Sequence, residues 1–255
     1  MALSDHLREL RARILKAFLV IAVGFGVAVV FHQQVFDLFW DPYLAAQEQL
    51  PSGSTIGTTS GAGAGLMLWI KICSLAAVVG TSPLWLYQLW AFVLPGLHRS
   101  ERTWTYVFLA VAGPLFIGGA TIAYLTLPKA LEVLIGFNPE GVTNLNDFGQ
   151  YITFVTRTVL GFGIAFEIPV FVVLLNFAGI VSGKSLGAHR PWIVIGTFIF
   201  AAIITPSTDP FTMCFMAVPM VVLFAVSEVI ARLNDRRRAA RGINAGLSSD
   251  EASRI

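Results

Sequence analysis

Charge is what this 255-residue sequence has least of. Asp, Glu, Lys and Arg make up 13% of it, about half the share found in soluble domains. So few charges cannot cover the surface of a soluble fold of this length. Cysteine is scarce too. Cys73 and Cys214 both lie in apolar runs, where a thiol behaves as a small hydrophobe, and they suggest neither a disulfide framework nor a metal site. The histidines are scattered, His6 and His98 in charged segments and His32 and His189 at the ends of apolar ones. No zinc motif runs through them, and the sequence predicts no metal, no cofactor and no nucleic-acid partner. What is abundant is apolar: 56% hydrophobic residues with 20 Phe, and a mean hydropathy of +0.74. The composition predicts a polytopic, all-helical membrane protein.

Crossing the hydrocarbon core of a bilayer takes roughly 20 apolar residues. Six stretches qualify or nearly do: about 14–31, 66–90, 105–127, 150–178, 191–205 and 211–231. The fifth is short, and the fourth is long enough to require tilt or a kink. The chain divides into a cytoplasmic amphipathic segment (1–16), a six-span membrane domain (17–231) and a basic tail (232–255). In the first segment Leu3, Leu7, Leu10 and Ile14 repeat at helical spacing, with Ser4 as the expected N-cap. The basic start followed by an apolar run resembles a secretory leader. The sequence after it, Val-Val-Phe-His-Gln-Gln, offers no small-residue cleavage site, so a retained span is expected.

Charge asymmetry sets the orientation. All but Lys71, Lys129 and Arg157 of the 17 Lys and Arg fall in the N-terminus, the 91–104 and 179–191 connections and the tail. The opposite connections (32–65, 128–149 and 206–210) hold Asp37, Asp41, Glu48, Glu132, Glu140, Asp147 and Asp209 against Lys129 alone. Both termini are therefore predicted to be cytoplasmic. Within the first outer connection, the Gly/Ser/Thr-rich run 51–65 gains little from packing and is expected to be mobile. The tail is expected to be disordered beyond its first turn, with Arg236–Arg238 favouring anionic lipid.

Motifs for chemistry fail. Gly179-Ile-Val-Ser-Gly183-Lys184-Ser185 imitates a phosphate-binding loop but has the wrong glycine spacing and follows an apolar span rather than a strand. No nucleophile–base set can be drawn, so an enzyme is not expected. No internal repeat of the transporter kind is visible.

The polar residues inside spans need explaining, because an ionised group at mid-membrane costs at least ~2.5 kcal/mol. Lys71 lies near the outer end of span two, within snorkelling reach of the interface. Arg157 lies ~10 Å deep in span four, satisfied either by snorkelling or by an internal carboxylate. Glu167 is about 17 residues into the same span and too short to snorkel. Pro169 follows it and frees a backbone carbonyl. This carboxyl faces either a functional concavity or a hydrogen-bonding neighbour span. On the cytoplasmic side Glu9 and Glu101 stand among basic residues. Glu9 lies four residues before Arg13, the spacing of a surface pair. Two carboxylates on one face can also receive guanidinium groups in bidentate fashion.

Taken in order, several segments resemble the TatC family, the multi-spanning subunit of the twin-arginine protein translocase. They are Ser4-Asp-His-Leu-Arg-Glu-Leu-Arg-Ala-Arg13, Ser82-Pro83-Leu-Trp-Leu-Tyr-Gln-Leu-Trp90-Ala-Phe92-Val-Leu-Pro-Gly-Leu97 followed by His98-Arg-Ser-Glu101-Arg102, Ala165-Phe-Glu167-Ile-Pro169-Val170, Arg190-Pro-Trp192, and Ile204-Thr205-Pro-Ser-Thr-Asp209-Pro210. The resemblance implies a cup-shaped bundle of six transmembrane helices in the cytoplasmic membrane. It implies a receptor for the Arg-Arg signal peptides of folded precursor proteins, whose export draws on the proton-motive force. Glu9 and Glu101 would contact the twin arginines, with Arg11 and Phe92 in support. Pro42, Tyr124 and Asp209 match outer-side positions that affect function, and Pro83 belongs to the second motif. Glu167 matches the carboxyl of the concave face. Single-span TatA- and TatB-like subunits would dock along spans five and six, where Thr205 matches a polar position and Met213 replaces an expected Gln, within a multimeric receptor complex. The competing readings are a proton-coupled small-solute transporter using Glu167 and Arg157, and an intramembrane hydrolase, which has no nucleophile here.

Overall fold

The computed structural model describes residues 3–50, 55–93, 102–137, 144–177, 179–204 and 210–240. Its elements in chain order are α1 (Leu3–Val30), α2 (His32–Glu48), β1 (Thr55–Thr58), α3 (Ala64–Gly80), α4 (Ser82–Val93), α5 (Arg102–Gly136), β2 (Asn144–Asp147), α6 (Phe148–Phe177), α7 (Gly183–Ala188), α8 (Arg190–Ile204) and α9 (Pro210–Ala240). Stretches of α1, α5, α6 and α9 are each long and apolar enough to cross a membrane. α3 and α4 pass the same test together, as a pair bent by 60°. α8 has 15 residues, ~22 Å of helix, which is shorter than the hydrocarbon core.

α6 is the centre of the bundle. It packs on α5, α9, α3 and α8, and buries Val155, Val159, Phe162, Ala165 and Phe166. Close approach to α5 depends on two glycines. A Cβ at Gly119 would stand 2.7 Å from the Phe162 carbonyl oxygen, and one at Gly163 would stand 2.7 Å from the Phe116 ring. Small residues at such seams let backbones approach in an apolar solvent, where packing rather than water drives association. α1 lies at the other side of the bundle against α3 and α4, with Gly24 seated over Ala77 and the Thr81 methyl.

At one end of the bundle α2 and the two strands form a cap. Phe36, Phe39, Trp40 and Tyr43 recur at helical spacing on α2 and meet the start of α6. The Trp40 and Phe148 ring centroids are 4.8 Å apart and those of Tyr43 and Tyr151 are 5.5 Å apart. Tyr151 Oη donates to the Phe39 carbonyl at 2.9 Å, and the Tyr43 and Thr55 hydroxyls bond at 3.0 Å. β1 pairs with β2 in parallel, from Thr55 opposite Asn144 to Thr58 opposite Asp147. Asp147 Oδ1 accepts the Gln150 N–H at 3.0 Å, capping the first turn of α6. Its other oxygen accepts from Ser60 Oγ at 2.6 Å. These bonds, the Ser60 one foremost, hold the Asp147 carboxyl below its ordinary value of 3.8.

Several sequence expectations change. The 5–16 segment is not a separate helix: it runs unbroken into the first span as α1, and Ser4 lies inside it rather than capping it. No Gly or Pro occurs between Leu3 and Gly24 to interrupt it. The 32–65 connection contains a helix, and residues 55–58 of the run expected to be mobile are held in a strand. The end expected to be disordered stays helical to Ala240. Its first turns are anchored by Asp235, which accepts from the Gly183 N–H at 2.7 Å and from Asn176 Nδ2 at 2.9 Å.

Candidate functional site

The break between α3 and α4 follows from three consecutive residues. Thr81 Oγ1 returns to the Ala77 carbonyl and Ser82 Oγ to the Val79 carbonyl, both at 2.7 Å. Pro83 brings no N–H, so the helical ladder cannot continue through it. Trp85 Nε1 takes the Val78 carbonyl at 2.8 Å. Acceptors freed by the bend are thus satisfied inside the protein, as an apolar surrounding requires. Pro83 itself is exposed, with Gly113 of α5 packed so close that a Cβ there would lie 3.0 Å from the proline Cβ.

The bend carries α4 across α6, where the intramembrane carboxyl sits. Trp90 Nε1 donates to Glu167 Oε2 at 3.1 Å. Glu167 Oε1 is enclosed and has no hydrogen-bond partner among the described residues. Phe171 tilts against the Trp90 ring with centroids 6.1 Å apart, and Leu86, Val170 and Leu174 close the site from beneath. The arrangement is a half-satisfied carboxyl at the edge of an apolar wall, one oxygen bonded to Trp90 and the other enclosed without a partner among the described residues. A neighbouring span does supply a hydrogen bond, and its donor, Trp90, is visible in the sequence only as one more aromatic.

At the opposite end from the strands, Glu9 is held by Arg13. Arg13 Nη2 and Nε both reach Glu9 Oε1, at 2.6 and 2.9 Å. Arg11 is exposed on the same helix and Phe92 is half-buried at the end of α4. Glu101, Thr205 and Asp209 lie outside the described residues. At the strand end, Pro42 is buried within α2, and Tyr124 Oη donates to the Leu38 carbonyl at 2.9 Å, tying α5 to α2. Met213 is half-buried against the main core.

Lys71 Nζ reaches across to α6, bonding Thr153 Oγ1 at 2.9 Å and the Gly149 carbonyl at 3.3 Å. Arg157 is exposed, and no carboxylate among the described residues pairs with it. Sequence reading also missed Glu228, a carboxylate of α9 with 3% of its side chain exposed. Arg190 clamps it through Nε and Nη2 at 2.6 and 2.7 Å, and Arg232 Nε adds a third bond at 2.7 Å. The available signal was an acid inside an apolar span four residues before an Arg. Among the described residues no group of His, Cys, Asp and Glu is disposed to hold a metal ion.

These features define a multi-spanning helical membrane protein with a bent span set over a half-buried carboxyl. The family model for Sec-independent protein translocase protein (TatC) matches residues 5–219. A TatC protein of Frankia casuarinae is 42% identical over 99% of this chain and 72% of its own length. That of Escherichia coli K12 is 34% identical over 90% of this chain and 88% of its own. A crystal structure of the twin arginine translocase receptor TatC in DDM superposes with a TM-score of 0.77 at 32% identity, over 89% of this chain and 99% of the other. The chain belongs to the Sec-independent protein translocase TatC family, a translocase component and not an enzyme.

Proposed function

We propose that this protein is the signal-peptide receptor and core membrane subunit of a twin-arginine translocase, exporting folded precursors across the cytoplasmic membrane at the expense of the proton-motive force. The observation that carries the reading is a match along nearly the whole chain to a family whose solved member is described as the twin arginine translocase receptor. In this reading α1, the α3–α4 pair, α5, α6, α8 and α9 are six spans with both termini cytoplasmic. The support is the basic excess at that end and the acidic excess at the other.

Glu9 and Glu101 receive the two guanidinium groups of the signal peptide, with Arg11 and Phe92 shaping that surface. Glu9 already accepts two bonds from Arg13, so an incoming arginine replaces one guanidinium with another and loses little desolvation energy. The hydrophobic part of the signal peptide, or a partner helix, lies against the membrane face of α6 beside Glu167. TatA- and TatB-like subunits dock along α8 and α9, with Thr205 as a polar contact, and Pro42, Pro83, Tyr124 and Asp209 support the outer side and the bend. The transporter alternative needs Arg157 and Glu167 to act as one relay, yet no hydrogen bond or ion pair joins them.

The test is site-specific photocrosslinking in membrane vesicles. A probe beside Glu101 is offered precursors with Arg-Arg or Lys-Lys signal peptides, in wild type and in Glu101→Ala. A crosslink requiring both the Arg pair and Glu101 is the expected result. Equal labelling by both peptides would return Glu101 to a surface ion pair and reopen the transporter reading.

A further inference from the structure

Arg157, Ile164, Ile168 and Phe171 are spaced seven, four and three residues apart, which places them on one stripe of α6. All four are exposed. The stripe begins with a cation and continues as hydrocarbon. Arg157 stands nine residues after Phe148, ~13 Å along the axis from the start of the helix. A guanidinium at that depth in an apolar surrounding is costly unless it snorkels to the interface or an anion meets it. Its five N–H donors find no acceptor among the described residues.

A second cation lies beside it. Lys71 Nζ bonds Thr153 Oγ1, and Thr153 is one helical turn before Arg157 on the same face. Lys71 uses two of its three donors on Thr153 and Gly149, which leaves one. The acid whose charge Lys71 feels, Asp147, is occupied by Ser60 and the Gln150 N–H. The two cations outnumber the single nearby acid Asp147, and both keep donors that no described residue takes up.

We propose that Arg157 and Lys71 bind the phosphodiester of a phospholipid from the leaflet at the strand end, with its acyl chains lying along Ile164, Ile168 and Phe171. Two non-bridging oxygens can be shared between a guanidinium and an ammonium. The order along the stripe, charge towards the membrane surface and hydrocarbon towards its middle, is the order within a lipid. A carboxylate on a partner helix would offer a single anion but no reason for the apolar stripe to begin where the cations end. The site rests on these residues lying within the bilayer, not on signal-peptide recognition. It draws a headgroup below the plane of its neighbours.

The experiment uses the full-length protein in nanodiscs containing phosphatidylglycerol with a diazirine in one acyl chain. A diacylglycerol probe carrying the same diazirine replaces it in parallel. Labelled peptides are mapped by mass spectrometry in wild type, Arg157→Gln, Lys71→Gln, the double variant, Arg157→Lys and the tail control Arg236→Gln. Labelling of residues 164–171 by the phospholipid is expected to fall about tenfold in the double variant, equivalent to about 1.4 kcal/mol. It is expected to persist in Arg157→Lys, which keeps the charge, and in Arg236→Gln. Millimolar inorganic phosphate is expected not to compete, since it lacks the chains. Retained thermal unfolding and retained Arg-Arg crosslinking at Glu101 show that the variants are folded and that receptor function is a separate matter. Equal labelling by both probes, or labelling indifferent to Arg157 and Lys71, overturns the proposal. So does a photoprobe at Ile164 that captures no lipid in nanodiscs holding this protein alone.

Discussion

Tyr151 illustrates how single side chains fix this protein. Its hydroxyl is buried and donates to the Phe39 carbonyl, so Tyr151→Phe removes that bond between α6 and α2. A loss of about 1 kcal/mol is expected, read as a lower midpoint of thermal unfolding in detergent. Asp147 gives a pH signature. Because its folded-state value is lowered, its contribution is complete above the ordinary carboxylate value and is lost as pH falls through the lowered one. Ser60→Ala removes the largest cause of that lowering. The drop in unfolding temperature between pH 6 and pH 3 should therefore be smaller in the variant than in the wild type. Legibility at this scale was uneven. Glu167 stood out because a short carboxyl deep in an apolar run has few explanations. Glu228 did not, because its partner Arg190 is 38 residues away in sequence, and periodicity carries no information about that distance.

Among the elements, the long apolar helices were legible because length and hydropathy act locally. The 60° bend in the second span was not drawn from the sequence, although Thr81, Ser82 and Pro83 were all in view. A bend needs its freed acceptors satisfied, and the bonds that do so are seen only in three dimensions. α2 was hidden for a related reason: an amphipathic aromatic helix between two spans reads as a loop until Phe148 and Tyr151 arrive to cover it. Two predictions belong here. Gly163→Val drives side-chain atoms into the Phe116 ring, and overpacking of this kind costs about 1–3 kcal/mol, visible as lower unfolding temperature and lower yield of folded protein. α8, with its 15 residues, is shorter than the bilayer core, so it should thin the membrane beside it. A version two turns longer is expected to impair export of folded precursors while leaving precursor binding unchanged. Unimpaired export would remove thinning from the mechanism.

For the molecule as a whole, the proposed orientation rests on the distribution of charge, and it can be tested by reactivity. In a cysteine-free background, Thr59→Cys is expected to react with an impermeant maleimide on intact cells, and Ser249→Cys only after the membrane is opened. The opposite pattern would invert the topology. The strand pair near Thr59 also bears on how the protein is made. β1 cannot find β2 until the three helices between them, α3, α4 and α5, have been synthesised and placed, and until residues 144–147 have themselves crossed. Every earlier helix therefore forms without the cap: Tyr43 and Gln47 can bond Thr55 at once, but Thr55 waits for Asn144 and Tyr43 for Phe148 and Tyr151, which are made much later in the chain. A chain arrested before α6 is therefore expected to leave residues 55–58 open to protease, and a completed one to protect them in the strand pair.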